Sequence, residues 1–230
     1  MNRTSPIHVV AGVLTDAGGR VLLAQRPAGK HLAGGWEFPG GKLDAGEARR
    51  HGLYRELAEE LGVAALHAHP LIRVRHRYPQ RTVLLDVWVV TRYRGVPAGR
   101  DGQRLRWCRR SALQRADLLA ADRPVIAALR LPERLTASAT RAYRILPIDD
   151  ARWNRPQRAD RLRGAWCEGA ADAVAAAALD DARFLVLRRA LAPAALAALC
   201  NAVNLPVFAR GIRLQQAWKL GATGLNEIRA

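Results

Sequence analysis

The sequence predicts an α/β protein in two parts: an α/β/α sandwich around a mixed sheet over residues 1–131, and a partial (β/α) barrel-like domain over 141–230. Three observations carry this. Short β-branched and apolar runs surround one strongly acidic helical segment in the first half. Strand-like and alanine-rich helical segments alternate in the second, which argues for βα units and a parallel sheet. Between them, LPERLTASAT at 131–140 is polar and lacks periodicity, so 132–140 reads as a linker.

The elements follow in chain order. PIHVVAGV (6–13) and RVLLAQ (20–25) are strand-like, and the DAGG between them signals a hairpin. A glycine-rich passage, AGGWEFPGG, then leads into GKLDAGEARRHGLYRELAEELGV at 41–63. Glu56, Glu59 and Glu60 stand at i, i+3 and i+4, so on a helix their carboxylates share one face. Leu53, Leu57 and Leu61 form the opposite, core-facing stripe. Asp44 followed by Glu47 suggests a capping-box start, and Arg55 pairs with Glu59 at i, i+4. Like charges on one face destabilise an isolated helix, and a hard cation with oxygen ligands removes that penalty. Strands are expected at 70–77 and 82–92 with a turn at 78–81, then a short strand from 104, then a helix opened by Pro124. In the second half, strands are expected at RAYRILPI, LRGAWC, RFLVLR, LPVFARG and ATGLNEIRA, with helices between the last four.

Composition bounds the function. Half of the 230 residues are hydrophobic, enough for a real core, yet no stretch approaches the ~20 apolar residues of a membrane span. The opening lacks a signal-peptide layout. Cys108, Cys167 and Cys200 lack metal-ligand spacing and read as reduced thiols of a cytoplasmic protein. The net charge of +17 suits an anionic substrate. Only Lys30, Lys42 and Lys219 are lysines, and arginine is spread along the chain rather than clustered, so duplex nucleic-acid binding is not expected.

The run from Gly41 through Glu47, Arg55, Glu56, Leu57, Glu59, Glu60 and Gly62 resembles the Nudix box of Mg²⁺-dependent hydrolases. WEFPGGKLDAGE, Arg26, His31, GRDGQ (99–103) and DRPVIAAL (122–129) are similar to the MutT branch, which hydrolyses oxidised purine nucleoside triphosphates. That resemblance implies 8-oxo-dGTP diphosphatase activity: a water attacks at the β-phosphorus, giving the monophosphate and pyrophosphate and limiting mutation. It implies Mg²⁺, with Mn²⁺ as a substitute, held by the Gly40 carbonyl with Glu56, Glu59 and Glu60. Glu56, Glu59 and Asp101 are the candidate proton acceptors. Arg26 and Arg81 would face phosphate, while His31, Glu37, Phe38, Pro39 and Gly40 would line the nucleotide pocket. Two positions depart from the MutT pattern: Asp101 replaces a glutamate, and Asp122 replaces the asparagine that reads the base edge. An amide donates and accepts, whereas an ionised carboxylate only accepts. Substrates of other kinds therefore stay open: another nucleoside diphosphate derivative, or a non-catalytic regulatory role. Trp36 is assigned to packing, and Tyr78 is a candidate stacking residue.

Residues 141–230 resemble, more weakly, the TenI-like thiamine phosphate synthase domain that follows MutT-like domains in some bacterial fusions. The middle of that barrel is absent, and Arg210-Gly211 stands where the family has two glycines. No thiamine phosphate synthesis is expected of it. Exposed sheet edges in a partial barrel suggest packing against a neighbour, including a homodimer through this domain.

Overall fold

The computed structural model describes residues 5–138, 142–154, 161–179 and 181–228. Two compact units divide the chain: Met1–Pro70 with Val74–Ile126, and Leu71–Arg73 with Ala127–Ala230. Among the described residues, no helix is long and apolar enough to cross a membrane.

The first unit contains β1 (Ile7–Leu14), β2 (Val21–Gln25), β3 (Trp36–Glu37), β4 (Gly40–Lys42), α1 (Arg49–Leu61), β5 (Ala64–Arg77), β6 (Thr82–Arg94), β7 (Arg104–Cys108) and α2 (Arg123–Ala128). Its larger sheet is mixed, in the order β4-β1-β6-β5. β1 runs parallel to β6, with Ile7 opposite Val83 and Leu14 opposite Val90. β1 also runs antiparallel to β4, with Ala11 opposite Gly40. A second, antiparallel sheet has the order β3-β2-β7.

The expected β1–β2 hairpin forms only at its turn. The Asp16 N–H donates to the Arg20 carbonyl at 3.0 Å beside an antiparallel bridge from Thr15 to Val21, and the two strands then enter different sheets. The reason is burial: Val10, Val13 and Leu14 on β1 and Val21, Leu22 and Leu23 on β2 are all fully buried. Each strand is more completely covered inside its own sheet than along a shared two-stranded ribbon, which is marginal in water. The start of α1 also differs from the expectation. The helix begins at Arg49 with Ala48 as an uncapped N-cap. Glu47 still accepts the Asp44 N–H at 3.1 Å, but it does so in a turn ahead of the helix. The leucine stripe is as expected, with Leu53, Leu57 and Leu61 fully buried against Val10, Leu14 and Leu22.

The second unit contains β8 (Arg134–Leu135), β9 (Arg144–Pro147), β10 (Arg163–Cys167), α3 (Ala170–Ala177), β11 (Phe184–Leu187), α4 (Pro193–Ala202), β12 (Val207–Ala209), α5 (Leu214–Lys219) and β13 (Gly224–Asn226). All six strands are parallel, in the order β8-β13-β12-β11-β10-β9, a partial (β/α) barrel-like sheet. Both faces are covered, which explains the unbroken apolar run of β11. Leu185 and Leu187 pack with the helices, while Phe184 and Val186 pack on the other face with Phe208 and Leu135.

The stretch expected as a linker supplies β8. Leu135 is fully buried and pairs beside β13, so a short apolar residue in a polar context was enough to recruit the segment into the sheet. Of the expected linker and first-strand region, 139–141 lie outside the described residues, as do 155–160 of the charged loop. Cys108, Cys167 and Cys200 are free and buried. Burial pushes the Cys167 and Cys200 thiols up to about 12, so neither is a reactive thiolate near neutral pH.

Candidate active site

A cavity of about 690 Å³ opens in the first unit between the two sheets and α1. The residues expected at the site all line it except Pro39: Arg26, His31, Glu37, Phe38, Gly40, Glu56, Glu59, Glu60, Arg81, Asp101 and Asp122. Pro39 lies just outside, where its carbonyl accepts the Gly12 N–H at 2.8 Å and fixes the bend between β3 and β4.

The glycines at that bend have a steric reason. Gly40 has φ +148°, and a Cβ on it would sit 2.1 Å from the Val10 carbonyl oxygen. A Cβ on Gly41 would sit 2.1 Å from a Glu56 carboxylate oxygen. The pair thus brings bare backbone against both β1 and the acidic face of α1.

Arg55 organises that face. Its guanidinium donates to Glu47 at 3.0 and 2.9 Å, to Glu56 at 3.0 Å, to Glu59 at 3.0 Å and to the Lys42 carbonyl at 3.1 Å. The expected Arg55–Glu59 pair is therefore one strand of a larger clamp. Held this way, Glu47 falls to about 2. Burial pushes Glu56 up despite Arg55.

Glu60 lines the same cavity and accepts the Gly40 N–H at 3.3 Å. Burial, with added repulsion from Glu37, Glu56 and Asp101, lifts it to about 7. Gln103, a buried residue, donates to the Glu60 carbonyl at 3.1 Å and accepts the Asp101 N–H at 2.8 Å, which ties the 99–103 loop to α1.

The metal expectation can be tested against this chemistry. Among the described residues, no three acidic, histidine or cysteine side chains already stand at ligand geometry, because Arg55 holds Glu56 and Glu59 while Glu60 faces Gly40. The donor set itself is hard oxygen, and the proton affinity of Glu60 shows a carboxylate cluster short of positive charge. Both properties suit Mg²⁺ or Mn²⁺.

The cavity is lined by a further carboxyl. Asp122 is buried, and its Oδ1 accepts the Phe38 N–H at 3.4 Å. Burial, then the charge of Glu37, raises it well above its usual value, which favours the neutral form, a carboxyl that can donate as well as accept. The segment reaches this place because Trp36 and Leu119 exchange backbone hydrogen bonds with 117–119 and β3 at 2.9 Å. Trp36 itself packs under the Arg106 guanidinium, 4.2 Å from its ring centroid, and does not line the cavity. Tyr78 does line it, edge-on to His31 at 5.9 Å and to His76 at 4.4 Å.

Arg26, expected to face phosphate, lines the cavity and already has protein partners. Its Nη1 donates twice to Glu37, at 2.9 and 2.7 Å, and its Nε donates to the His31 carbonyl at 2.7 Å. It braces the loop that carries His31 and only partly offsets the burial that pushes Glu37 up. Sequence reasoning missed Lys30, Lys42 and Gln103 as residues of the cavity or its loops. Lys30 had one local signal, its place beside His31 in a glycine-flanked loop, whereas Gln103 acts through tertiary contacts that no spacing reveals.

Comparison with known proteins places the likeness in this first unit. A family model described as NUDIX domain matches residues 10–128. An 8-oxo-dGTP diphosphatase of Escherichia coli (strain K12) is 32% identical over 124 residues, covering 54% of this chain and 96% of that protein. A CTP pyrophosphohydrolase of the same organism is 37% identical over 122 residues, covering 53% and 90%. Among solved structures, a MutT NUDIX hydrolase from Burkholderia pseudomallei is 27% identical with a TM-score of 0.50, covering 55% of this chain and 99% of that one.

Proposed function

The chain belongs to the NUDIX family through residues 10–128, and from that premise we propose that it is an 8-oxo-dGTP diphosphatase that sanitises the nucleotide pool and so protects replication and repair. The observation that carries this reading is the shared cavity, which the acidic face of α1 and the buried carboxyl of Asp122 both line. A nucleoside triphosphate needs both: metal and charge handling at its phosphates, and a donor–acceptor pair at its base.

Glu56, Glu59, Glu60 and the Gly40 carbonyl would hold Mg²⁺, with Mn²⁺ as a substitute. When bound, the metal neutralises phosphate oxygens and lowers the pKa of the attacking water. Arg55 pre-positions Glu56 and Glu59, which reduces the reorganisation needed at the moment of reaction. Glu56, Glu59 or Asp101 takes the proton from the water that attacks the β-phosphorus. The bond from that phosphorus to the α–β bridging oxygen breaks, leaving nucleoside monophosphate and pyrophosphate. Arg81 faces the phosphates, and Arg26 acts through Glu37 and the loop. His31, Tyr78 and Phe38 frame the nucleoside, and Asp122 reads the base. The C-terminal unit, with its open parallel sheet, takes no step in this chemistry and serves self-association in a cytoplasmic protein.

A second reading, a pyrimidine triphosphate or another nucleoside diphosphate derivative as preferred substrate, is favoured by Asp122 standing where the MutT pattern has asparagine. Steady-state hydrolysis of 8-oxo-dGTP, dGTP, dATP, CTP and ADP-ribose, in Mg²⁺ and in EDTA, separates the readings. Preferred turnover of 8-oxo-dGTP is expected. Preference for CTP or ADP-ribose moves the assignment, and no metal-dependent turnover of any of them refutes it.

A further inference from the structure

The mouth of the cavity carries a cation that the roles above leave unused. Lys30 lines the cavity, with its Nζ 3.5 Å from Asp101 Oδ2. Each side chain of the pair is 51% exposed, so the contact lies at the outer rim. An exposed pair at that separation contributes little and exchanges partners readily.

The loop that presents Lys30 is firmly built. Arg26 accepts the Gly34 N–H at 2.9 Å and donates its own N–H to Gly35 at 3.0 Å, and the Lys30 N–H bonds the Pro27 carbonyl at 3.4 Å. Leu32 has φ +61°, the one non-glycine residue with positive φ among the described residues. Such a conformation persists where the surroundings over-determine it, and here the Arg26 guanidinium on the His31 carbonyl does so. Lys30 therefore projects from a braced turn.

Two arginines near the cavity are already engaged. Arg26 is committed to Glu37, and Arg55 to the acidic face of α1. Lys30 keeps three donors on a flexible stem, with Asp101 at 3.5 Å and Glu37 within reach of its charge. Its counter-ion, Asp101, is hydrogen-bonded through its backbone to Gln103, which holds the Glu60 carbonyl. The rim cation thus stands at the solvent end of the cavity, beside the loop that Gln103 ties to α1.

We infer that Lys30 binds the terminal phosphate of the nucleotide and selects triphosphates over diphosphates, exchanging Asp101 for the phosphate when substrate enters. This rests on the proposed nucleotide hydrolysis and assigns a residue to the outermost phosphate. A terminal phosphate offers more charge and more acceptor oxygens than one carboxylate, so the exchange is favourable. It also leaves Asp101 unpaired beside the Gln103–Glu60 connection, where a carboxylate serves the proton transfer.

The test compares the full-length protein with Lys30→Gln and Lys30→Arg. Loss of one charged phosphate contact should raise KM for 8-oxo-dGTP about tenfold in Lys30→Gln. KM for 8-oxo-dGDP should stay within about twofold, and Lys30→Arg should recover most of the loss. Equal effects on both nucleotides, or no effect, overturn the inference while leaving the hydrolase reading intact. Calorimetric titration of inorganic triphosphate gives a readout independent of turnover. Affinity should drop about tenfold in Lys30→Gln, and unchanged affinity in a variant with unchanged thermal unfolding overturns the inference even if no nucleotide is hydrolysed.

Discussion

Replacing Glu60 by Gln should abolish turnover and, in metal-free protein, increase stability above neutral pH. The magnitude follows from the cavity. A carboxyl that titrates near 4.5 in an unfolded chain is lifted to about 7 by burial between β4 and α1. Each tenfold change in proton affinity corresponds to ~1.4 kcal/mol, so ionising Glu60 in the folded state costs at most about 3 kcal/mol. The sign is set by linkage. Between pH 4.5 and 7 the folded protein holds a proton that the unfolded chain has released, so stability is complete below about 4.5, declines through 7 and then levels off. Gln keeps the acceptor for the Gly40 N–H and has no charge to bury.

The assay is denaturant unfolding in EDTA, followed by amide exchange along α1 so that the first unit is read. Glu60→Gln should exceed the parent by under about 1 kcal/mol at pH 5 and by up to about 3 kcal/mol at pH 8.5. Adding Mg²⁺ should stabilise the parent and not the variant, because only the parent regains a counter-charge for the cluster. An advantage that does not grow with pH, or a variant less stable than the parent at pH 8.5, refutes the idea that this carboxylate is held in an unfavourable state for function.

Two further outcomes follow from neighbouring groups. Asp122 faces Glu37, Arg26 and the Phe38 N–H, and it donates to the base only while neutral. Selectivity for 8-oxo-dGTP over dGTP should therefore fall as pH rises through its raised value, whereas Asp122→Asn, a permanent donor, should give a flat profile; a parallel decline in both proteins refutes the assignment. Arg55→Lys keeps the charge but cannot fork to Glu47, Glu56 and Glu59 together. Its kcat should fall roughly 10- to 100-fold with KM little changed, and a kcat within twofold of the parent removes Arg55 from the positioning machinery.

How much of this was legible in the sequence depends on whether the cause was local. The acidic face of α1 and its leucine stripe follow from the period of one helix, so spacing alone located Glu56, Glu59, Glu60, Leu53, Leu57 and Leu61. The parallel sheet of the second unit was legible for a related reason: each strand–helix unit carries its own composition change. What stayed hidden was pairing at a distance. Nothing in DAGG tells that β1 will pair with β6 rather than β2, because that choice is made by residues some seventy positions away. Nothing in LPERLTASAT marks Leu135 as a buried strand residue until β13 arrives beside it.

The site shows the same division with more consequence. Residue types told which groups do chemistry, yet hydrogen bonds decided what state those groups are in. Arg26 reads as a phosphate ligand from its position and becomes a brace once Glu37 is placed against it. Asp122 reads as a poorer version of asparagine and moves closer to it once burial favours its neutral form. In both cases the side chain is unchanged and its surroundings add to the inference: Arg26 would have to exchange Glu37 for a phosphate, and burial favours the form of Asp122 that can donate. Selectivity in this cavity therefore rests on which charges are already neutralised before the nucleotide arrives.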